Sequence, residues 1–157
     1  MQGDKQVITY LNGQLKAELT AINQYYLHYR TLKHWGFDRL AKFEYQESMG
    51  EMKHADMLIE RILMLDGLPN LQDLGKLLIG ENAVEILGCD LKVEKSAQSY
   101  LKEAIAHCEG VKDYVSRELF EVILKDTEEH IDHLETQLEL VGKVGEQNYL
   151  QSQMQEG

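Results

Sequence analysis

The sequence predicts an all-α fold, a four-helix bundle with a long crossover between helices 2 and 3 and a short fifth helix at the C-terminus. Long segments carry apolar residues at helical spacing. Pro69 is the only proline in 157 residues. One connection, from about Leu68 to Glu81, is far longer than antiparallel neighbours require. Because 43% of the residues are hydrophobic, we expect one core and a single domain over residues 1–157.

Capping residues and glycines set the expected helix boundaries. The first helix should begin after a cap at Asp4 and end at His34, because Trp35-Gly36-Phe37 interrupts the pattern. The second should be capped by Asp38 and end near Asp66-Gly67. After the crossover, three further helices are expected at about 82–110, 112–142 and 145–151.

The charge balance narrows the choice of partners. A formal net charge of -11 argues against nucleic acid and anionic membranes, because both need a basic surface, and it favours cations. No apolar segment is long enough to span a membrane and the N-terminus lacks a signal-peptide pattern, so we expect a soluble, cytoplasmic protein. Cys89 and Cys108 lie roughly 28 Å apart on one predicted helix, so they should be two structural thiols.

Each long helix has a hydrophobic stripe that is interrupted near its middle by residues able to bind metal. A buried carboxylate costs several kcal/mol unless a positive group lies beside it, and no basic residue lies on these stripes. A bound cation is therefore the expected partner. The interrupting residues are Glu18 on the first helix, Glu47, Glu51 and His54 on the second, Glu94 on the third and His130 on the fourth.

The spacing of these residues indicates a shared metal centre. Glu51 and His54 are three residues apart, so both project from one face within a single turn. Carboxylates with imidazoles form the mixed oxygen and nitrogen environment that binds a pair of iron ions, whereas thiolates are typical of structural zinc or iron–sulfur sites. The alternative is that these residues are solvated carboxylates and hydrogen-bonded core histidines. It would require a polar residue to interrupt the middle of the hydrophobic stripe on each of four helices without a shared cause. Tyr25, on the Glu18 stripe, fits either core packing or a hydrogen-bond and electron-donor role.

Several longer segments make the chain resemble the bacterioferritin family over its whole length. The resemblance implies a shell of twenty-four subunits that stores ferric mineral and binds haem b between two-fold-related subunits. It also implies assembly with itself or with a second bacterioferritin subunit, and a ferredoxin-type electron donor as partner. The segments that carry the resemblance are residues 23–28, 51–56, 62–71, 75–81, 129–132 and 148–151.

The family's dinuclear ferroxidase site has six ligands, and five of the corresponding residues are present. By resemblance, the ligands to iron are Glu18, Glu51, His54, Glu94 and His130.

The sixth position holds Thr127, where family members usually have a glutamate. A neutral hydroxyl is a poor ligand for ferrous iron. We therefore expect a ferroxidase with a weakened second iron site, in which Asp126 or water fills the gap imperfectly.

Met52 follows the ligand Glu51 and should face another surface of its helix, about 100° away. An outward methionine is usually interface packing. The resemblance implies instead that Met52 is an axial ligand of haem, one from each of two subunits. Five residues are expected to face the same way and line that pocket: Leu19, Asn23, Tyr26, Tyr45 and Met49.

Two functions remain open at this point. The first is iron storage with oxidation of Fe(II) by dioxygen or peroxide. The second is a non-catalytic subunit, structural or haem-carrying, that assembles with a ferroxidase-competent one. Thr127 favours the second function, and the five retained ligands favour the first. A plain bundle without metal does not explain carboxylates in the middle of the stripes.

Overall fold

The computed structural model describes residues 1–155, and the last two residues of the expected 1–157 domain lie outside that part. Five α-helices and no strand occur within the described residues, which confirms the predicted fold class. No helix in this part of the chain is both long enough and apolar enough to cross a membrane. The helices are α1 Lys5–His34, α2 Asp38–Met64, α3 Ala83–Gly110, α4 Tyr114–Val144 and α5 Glu146–Ser152.

Short polar side chains cap three of the helices. Asp4, Asn82 and Asp113 accept hydrogen bonds from backbone N–H groups in the first turns of α1, α3 and α4, at 3.0, 2.9 and 3.0 Å. The predicted cap at Asp38 is wrong, because Phe37 occupies the N-cap position without a side-chain bond. Asp38 lies instead in the first turn of α2, where its carboxylate is favourable to the helix dipole.

The four long helices form two hairpins, α1 with α2 and α3 with α4, and α1 also packs on α3 while α2 contacts α4. α5 packs on α4. Two hydrophobic clusters fill the two halves of the bundle. One cluster contains Val7, Leu11, Leu15, Ala55, Leu58, Ile62, Leu65, Leu101, Ala104, Cys108, Phe120 and Ile123. The other contains Leu32, Leu40, Ala41, Ala83, Ile86, Leu87, Leu134 and Tyr149.

Most of the buried polar residues form a layer between these two clusters. Along α1, for example, Glu18, Tyr25 and His28 lie after Leu15 of one cluster and before Leu32 of the other. The predicted stripes need small corrections, since α3 contacts both α1 and α4 and so buries a wider face than one stripe. Val84, Leu91, Ile105 and Leu119, which follow the helical spacing of the stripes, are only partly buried, whereas Ile86, Asp90, Ala104 and Phe120 are buried.

The crossover between α2 and α3 has no regular secondary structure, and side chains of α1 bind its backbone. Asn12 binds Leu68 and Asn70. Further along α1, backbone N–H groups of the crossover donate hydrogen bonds to side chains spaced by four residues. These bonds join Gly75 to Thr20 at 2.8 Å, Leu78 to Gln24 at 2.8 Å and Gly80 to His28 at 3.1 Å. One polar stripe of α1 therefore fixes the path of the crossover.

We predict that Gly80→Ala destabilises the protein and that Gly88→Ala does not. A Cβ atom at Gly80 would collide with the backbone nitrogen of Ile86 at the start of α3, whereas one at Gly88 meets no atom within 4 Å. Gly80→Ala should lower the free energy of unfolding by about 1–3 kcal/mol. Gly88→Ala, inside α3, should raise it by about 0.5–1 kcal/mol. Thermal and urea unfolding measure both, and equal effects would refute this role of Gly80.

Candidate metal centre

Glu51 lies at the centre of the candidate site, with one carboxylate oxygen directed at each of two imidazoles. Its Oε2 is 3.5 Å from Nδ1 of His54, in the next turn of α2. Its Oε1 is 3.6 Å from Nδ1 of His130 on α4. A carboxylate between two imidazole nitrogens can place one oxygen on each of two metal ions. Glu51 is therefore shared by two neighbouring groups that could each hold a metal ion, the first and second candidate ion positions.

The first ion position is formed by Glu18, Glu51 and His54, each at most 5% exposed. Nδ1 of His54 lies 3.4 Å from Oε1 of Glu18, which also accepts a hydrogen bond from Gln14 at 3.0 Å. Oε2 of Glu18 and Nδ1 of His54 are buried and have no hydrogen-bond partner within the described residues. Buried polar atoms are rarely left unpaired. Two such atoms in one place fit a bound cation.

Asp126 determines which nitrogen of His54 faces this position. Its Oδ2 lies 2.7 Å from Nε2 of His54, so the Nε2 proton is directed at the carboxylate and the Nδ1 lone pair is directed at Glu18 and Glu51. Burial lowers the pKa of His54, but the nearby carboxylates of Glu51 and Asp126 outweigh it and raise that pKa. Asp126 thus positions His54, and it is not directed into the gap beside Thr127 as a substitute ligand.

The second candidate position lies among Glu51, Glu94 and His130, with Glu47 beside the outer nitrogen of His130. Nδ1 of His130 is 3.3 Å from Oε1 of Glu94, and its Nε2 is 2.6 Å from Oε2 of Glu47. Glu47 therefore lies beside the outer nitrogen of His130, as Asp126 does beside that of His54, although only Asp126 forms a hydrogen bond there. This position is closer to the surface, because Glu47 and His130 are only partly buried.

Thr127 lies at the site, but it brings no charge. It is buried at the middle of α4. The small cavity at the site is lined by Gln14, Ala17, Glu18, Ala21, Glu51, Val93, Glu94, Ala97 and Thr127. Within the described residues, Glu51 is the one carboxylate common to both candidate ion positions.

Tyr25 is tied directly to the site. Its hydroxyl donates a hydrogen bond of 2.6 Å to Oε1 of Glu94. Burial, together with the negative charges of Glu94, Asp90 and Glu44, holds the pKa of Tyr25 well above its usual range. Tyr25 therefore remains a neutral donor that fixes the orientation of Glu94, and it separates the site from a further group of buried acids.

Protons occupy the site when no metal is bound. Burial raises the pKa of Glu94 to about 7, against the opposing effect of its hydrogen bond with His130. Burial lowers the pKa of His130, but the nearby carboxylates of Glu47 and Glu94 outweigh it and raise that pKa to about 10. A metal ion at this position must therefore displace protons.

The sequence patterns did not identify three fully buried residues next to the site, His28, Glu44 and Asp90. Their spacing does give a signal. His28 lies three residues after Tyr25, Glu44 four after Leu40, and Asp90 three after Leu87, so all three belong to the inner faces of their helices.

Met52 lies on the outside of the bundle, away from this centre. Its side chain is 54% exposed, whereas Glu51 beside it is buried. Tyr26, Tyr45 and Met49 are also exposed, while Leu19 is partly buried. The structure thus separates the predicted haem ligand from the predicted iron ligands by placing them on different faces of α2.

The chain is similar to known ferritin-like proteins over nearly its whole length. The ferritin-like domain family matches residues 8–144. The bacterioferritin of Brucella melitensis is 52% identical over 149 residues, covering 95% of this chain and 92% of that protein. The bacterioferritin of Streptomyces coelicolor is 49% identical over 150 residues, covering 96% and 90%. That of Rhodobacter capsulatus is 47% identical over 149 residues, covering 95% and 92%.

We predict that metal binding at the second position releases between one and two protons per subunit at pH 7. His130, with its pKa of about 10, is then protonated, and Glu94, with its pKa of about 7, is half protonated. The number of protons released from these two groups should fall from about two near pH 5.5 to about one near pH 8.5. The affinity for the metal ion should rise with pH over the same range. Calorimetric titration with Zn²⁺ in buffers of different ionisation enthalpy measures the protons released. A value near zero at pH 7 would contradict this electrostatic description.

Proposed function

The chain belongs to the bacterioferritin family of ferritin-like proteins, and we propose that it stores iron, oxidising Fe(II) at a dinuclear site within each subunit. The observation that carries the proposal is the placement of Glu51, whose two oxygens face Nδ1 of His54 and Nδ1 of His130. Glu18 Oε2 and His54 Nδ1 support it, because both are buried polar atoms without a hydrogen-bond partner within the described residues, and such atoms are rare.

Ferrous iron is the substrate, and each ligand has a defined part. Glu18 and His54 would hold the first ion, Glu94 and His130 the second, and Glu51 would contact both. Each ion gives up one electron, and dioxygen or peroxide accepts the electrons of the pair. Tyr25 would orient Glu94 through its 2.6 Å hydrogen bond and is a candidate electron donor beside the ions.

The role proposed for the whole assembly is storage. We propose that ferric product leaves the dinuclear site for the cavity of a twenty-four-subunit shell, formed with copies of this chain or with a second bacterioferritin subunit. The proposed location is the cytoplasm, and the proposed electron-donating partner is a ferredoxin-type protein. The strongly negative chain, with a net charge of -11, suits a protein that attracts cations.

Met52 is the proposed ligand of haem b between two subunits. Its exposed thioether is the type of donor that binds haem iron, and the exposed Tyr26, Tyr45 and Met49 offer an apolar surface around it. When bound, haem supplies a one-electron redox centre at this surface.

A specific observation favours the second candidate function, a non-catalytic subunit that completes a mixed shell. Thr127 is buried at the site, and the neighbouring Asp126 already binds Nε2 of His54 at 2.7 Å. Neither residue supplies the carboxylate that a second bridge would need. The oxidation rate of the unmodified protein distinguishes the two candidates.

We predict that Thr127→Glu increases the initial rate of Fe(II) oxidation by more than about tenfold, which corresponds to about 1.4 kcal/mol in the barrier. The unmodified protein should bind one ferrous ion tightly and one weakly per subunit, because Glu51 is the one carboxylate that would contact both ions. Rapid mixing with Fe(II) and oxygen gives the rate, and equilibrium titration gives the number of tight sites. Thr136→Glu, at an exposed position of the same helix, adds the same charge outside the site and should leave both unchanged.

Two tight ferrous sites and a fast oxidation phase in the unmodified protein, unchanged by Thr127→Glu, would show that Thr127 does not impair the site. No oxidation above the uncatalysed rate before the substitution, and fast oxidation after it, would support the non-catalytic subunit.

We predict that Met52→His converts the absorption spectrum of the haem-loaded protein from thioether to nitrogen ligation. Met49→His, on the same helix and also exposed, is the matched control and should keep thioether ligation. The visible spectrum and the haem content per subunit measure the result. An unaltered spectrum in the Met52 variant would exclude Met52 as the ligand.

A further inference from the structure

A second group of buried acids lies outside the residues assigned to iron oxidation. Glu44 on α2 and Asp90 on α3 have no exposed surface, and one potential ligand atom from each lies within 4.8 Å of the other and of a nitrogen of His28. Both oxygens of Glu44 and Oδ2 of Asp90 have no hydrogen-bond partner within the described residues. Three unpaired carboxylate oxygens in a bundle core represent a large desolvation cost.

His28 does not act as a ligand here, because both of its nitrogens are engaged. The backbone N–H of Gly80 donates to Nε2 at 3.1 Å, so Nε2 carries a lone pair and the proton of the neutral ring is on Nδ1. Nδ1 therefore donates to Oδ1 of Asp90, at 3.0 Å.

Gln24 holds the same oxygen of Asp90. Its Nε2 donates to Oδ1 at 3.0 Å, and its Oε1 accepts from the backbone N–H of Leu78, which fixes the amide orientation. Two donors thus occupy Oδ1 and leave Oδ2 without a hydrogen-bond partner within the described residues. This arrangement, in which outer groups orient a carboxylate and leave its second oxygen unpaired, is typical of a metal ligand.

Two kinds of positive charge can fill the space between Glu44 and Asp90. No Lys or Arg is an ion-pair or hydrogen-bond partner of either side chain within the described residues. A shared proton would join one oxygen of Glu44 to Oδ2 of Asp90 and leave the other oxygen of Glu44 unpaired. A cation can contact all three oxygens, since oxygens bound to one ion at about 2.0–2.6 Å lie within about 5 Å of each other.

We propose that Glu44 and Asp90 form a second cation site, which takes a hard divalent ion through carboxylate oxygens alone. The ligand set is all oxygen, which suits Mn²⁺, Fe²⁺ or Mg²⁺. The site is distinct from the centre around Glu51. Tyr25 lies close to both, because its hydroxyl donates a hydrogen bond to Glu94 and the negative charges of Asp90 and Glu44 help to raise its pKa. An ion there would offset the negative charge on that side of Tyr25.

The test uses Mn²⁺ as the probe on the intact protein. Crystals soaked in Mn²⁺ should show an anomalous peak between Glu44 and Asp90, and titration followed by electron paramagnetic resonance should give the number of ions bound per subunit. Glu44→Gln keeps the shape of the side chain and should abolish this peak and one bound Mn²⁺ per subunit. Glu18→Gln, the matched control in the other group, should weaken binding near Glu51 and leave the Glu44 peak in place.

The outcomes separate this site from the proposed oxidation centre. No anomalous peak between Glu44 and Asp90 at Mn²⁺ concentrations that fill the positions near Glu51 would overturn the site and assign the pair to a shared proton. Unchanged Mn²⁺ stoichiometry in Glu44→Gln would also overturn it. A peak at Glu44 without occupancy near Glu51 would support the second site and count against the proposed iron oxidation instead.

Discussion

The burial of carboxylates that have no Lys or Arg partner within the described residues is the constraint on which this bundle depends. Glu18, Glu44, Glu51, Asp90 and Glu94 are at most 5% exposed, and each ionised group costs several kcal/mol when nothing positive lies beside it. Hydrophobic clusters on both sides of the layer stabilise the helices that carry these residues. Burial therefore raises the pKa values of Glu94 and Glu44. As a consequence, the metal-free protein holds protons where cations are expected.

The ligand side chains are oriented by groups that do not face the ions. Asp126 binds Nε2 of His54, and Glu47 lies 2.6 Å from Nε2 of His130, so both imidazoles present Nδ1 to Glu51. The crossover segment extends this principle, because its backbone N–H groups fix Gln24 and His28. Through these two residues, a segment without regular structure orients Asp90, although no proposed ligand to iron comes from it.

Helical periodicity was sufficient to predict the five helices and to place Glu18, Glu51, His54, Glu94 and His130 at the middle of inward faces. It could not predict which imidazole nitrogen faces inward, because that depends on contacts between helices such as His54 with Asp126. It also missed Glu44 and Asp90, since one stripe per helix is too narrow a description of helices with two neighbours. The error at Asp38 has a local cause, because first-turn and capping acids have the same sequence signature.

The charge balance clarifies what Thr127 changes under the proposed function. Glu18, Glu51 and Glu94 bring three negative charges against the four positive charges of two ferrous ions. Glu47 and Asp126, each beside the outer nitrogen of a ligand imidazole, add two more negative charges within the same few ångströms. The group is thus not short of negative charge. What Thr127 removes is a second carboxylate able to contact both ions, so the two positions are coupled through Glu51 alone.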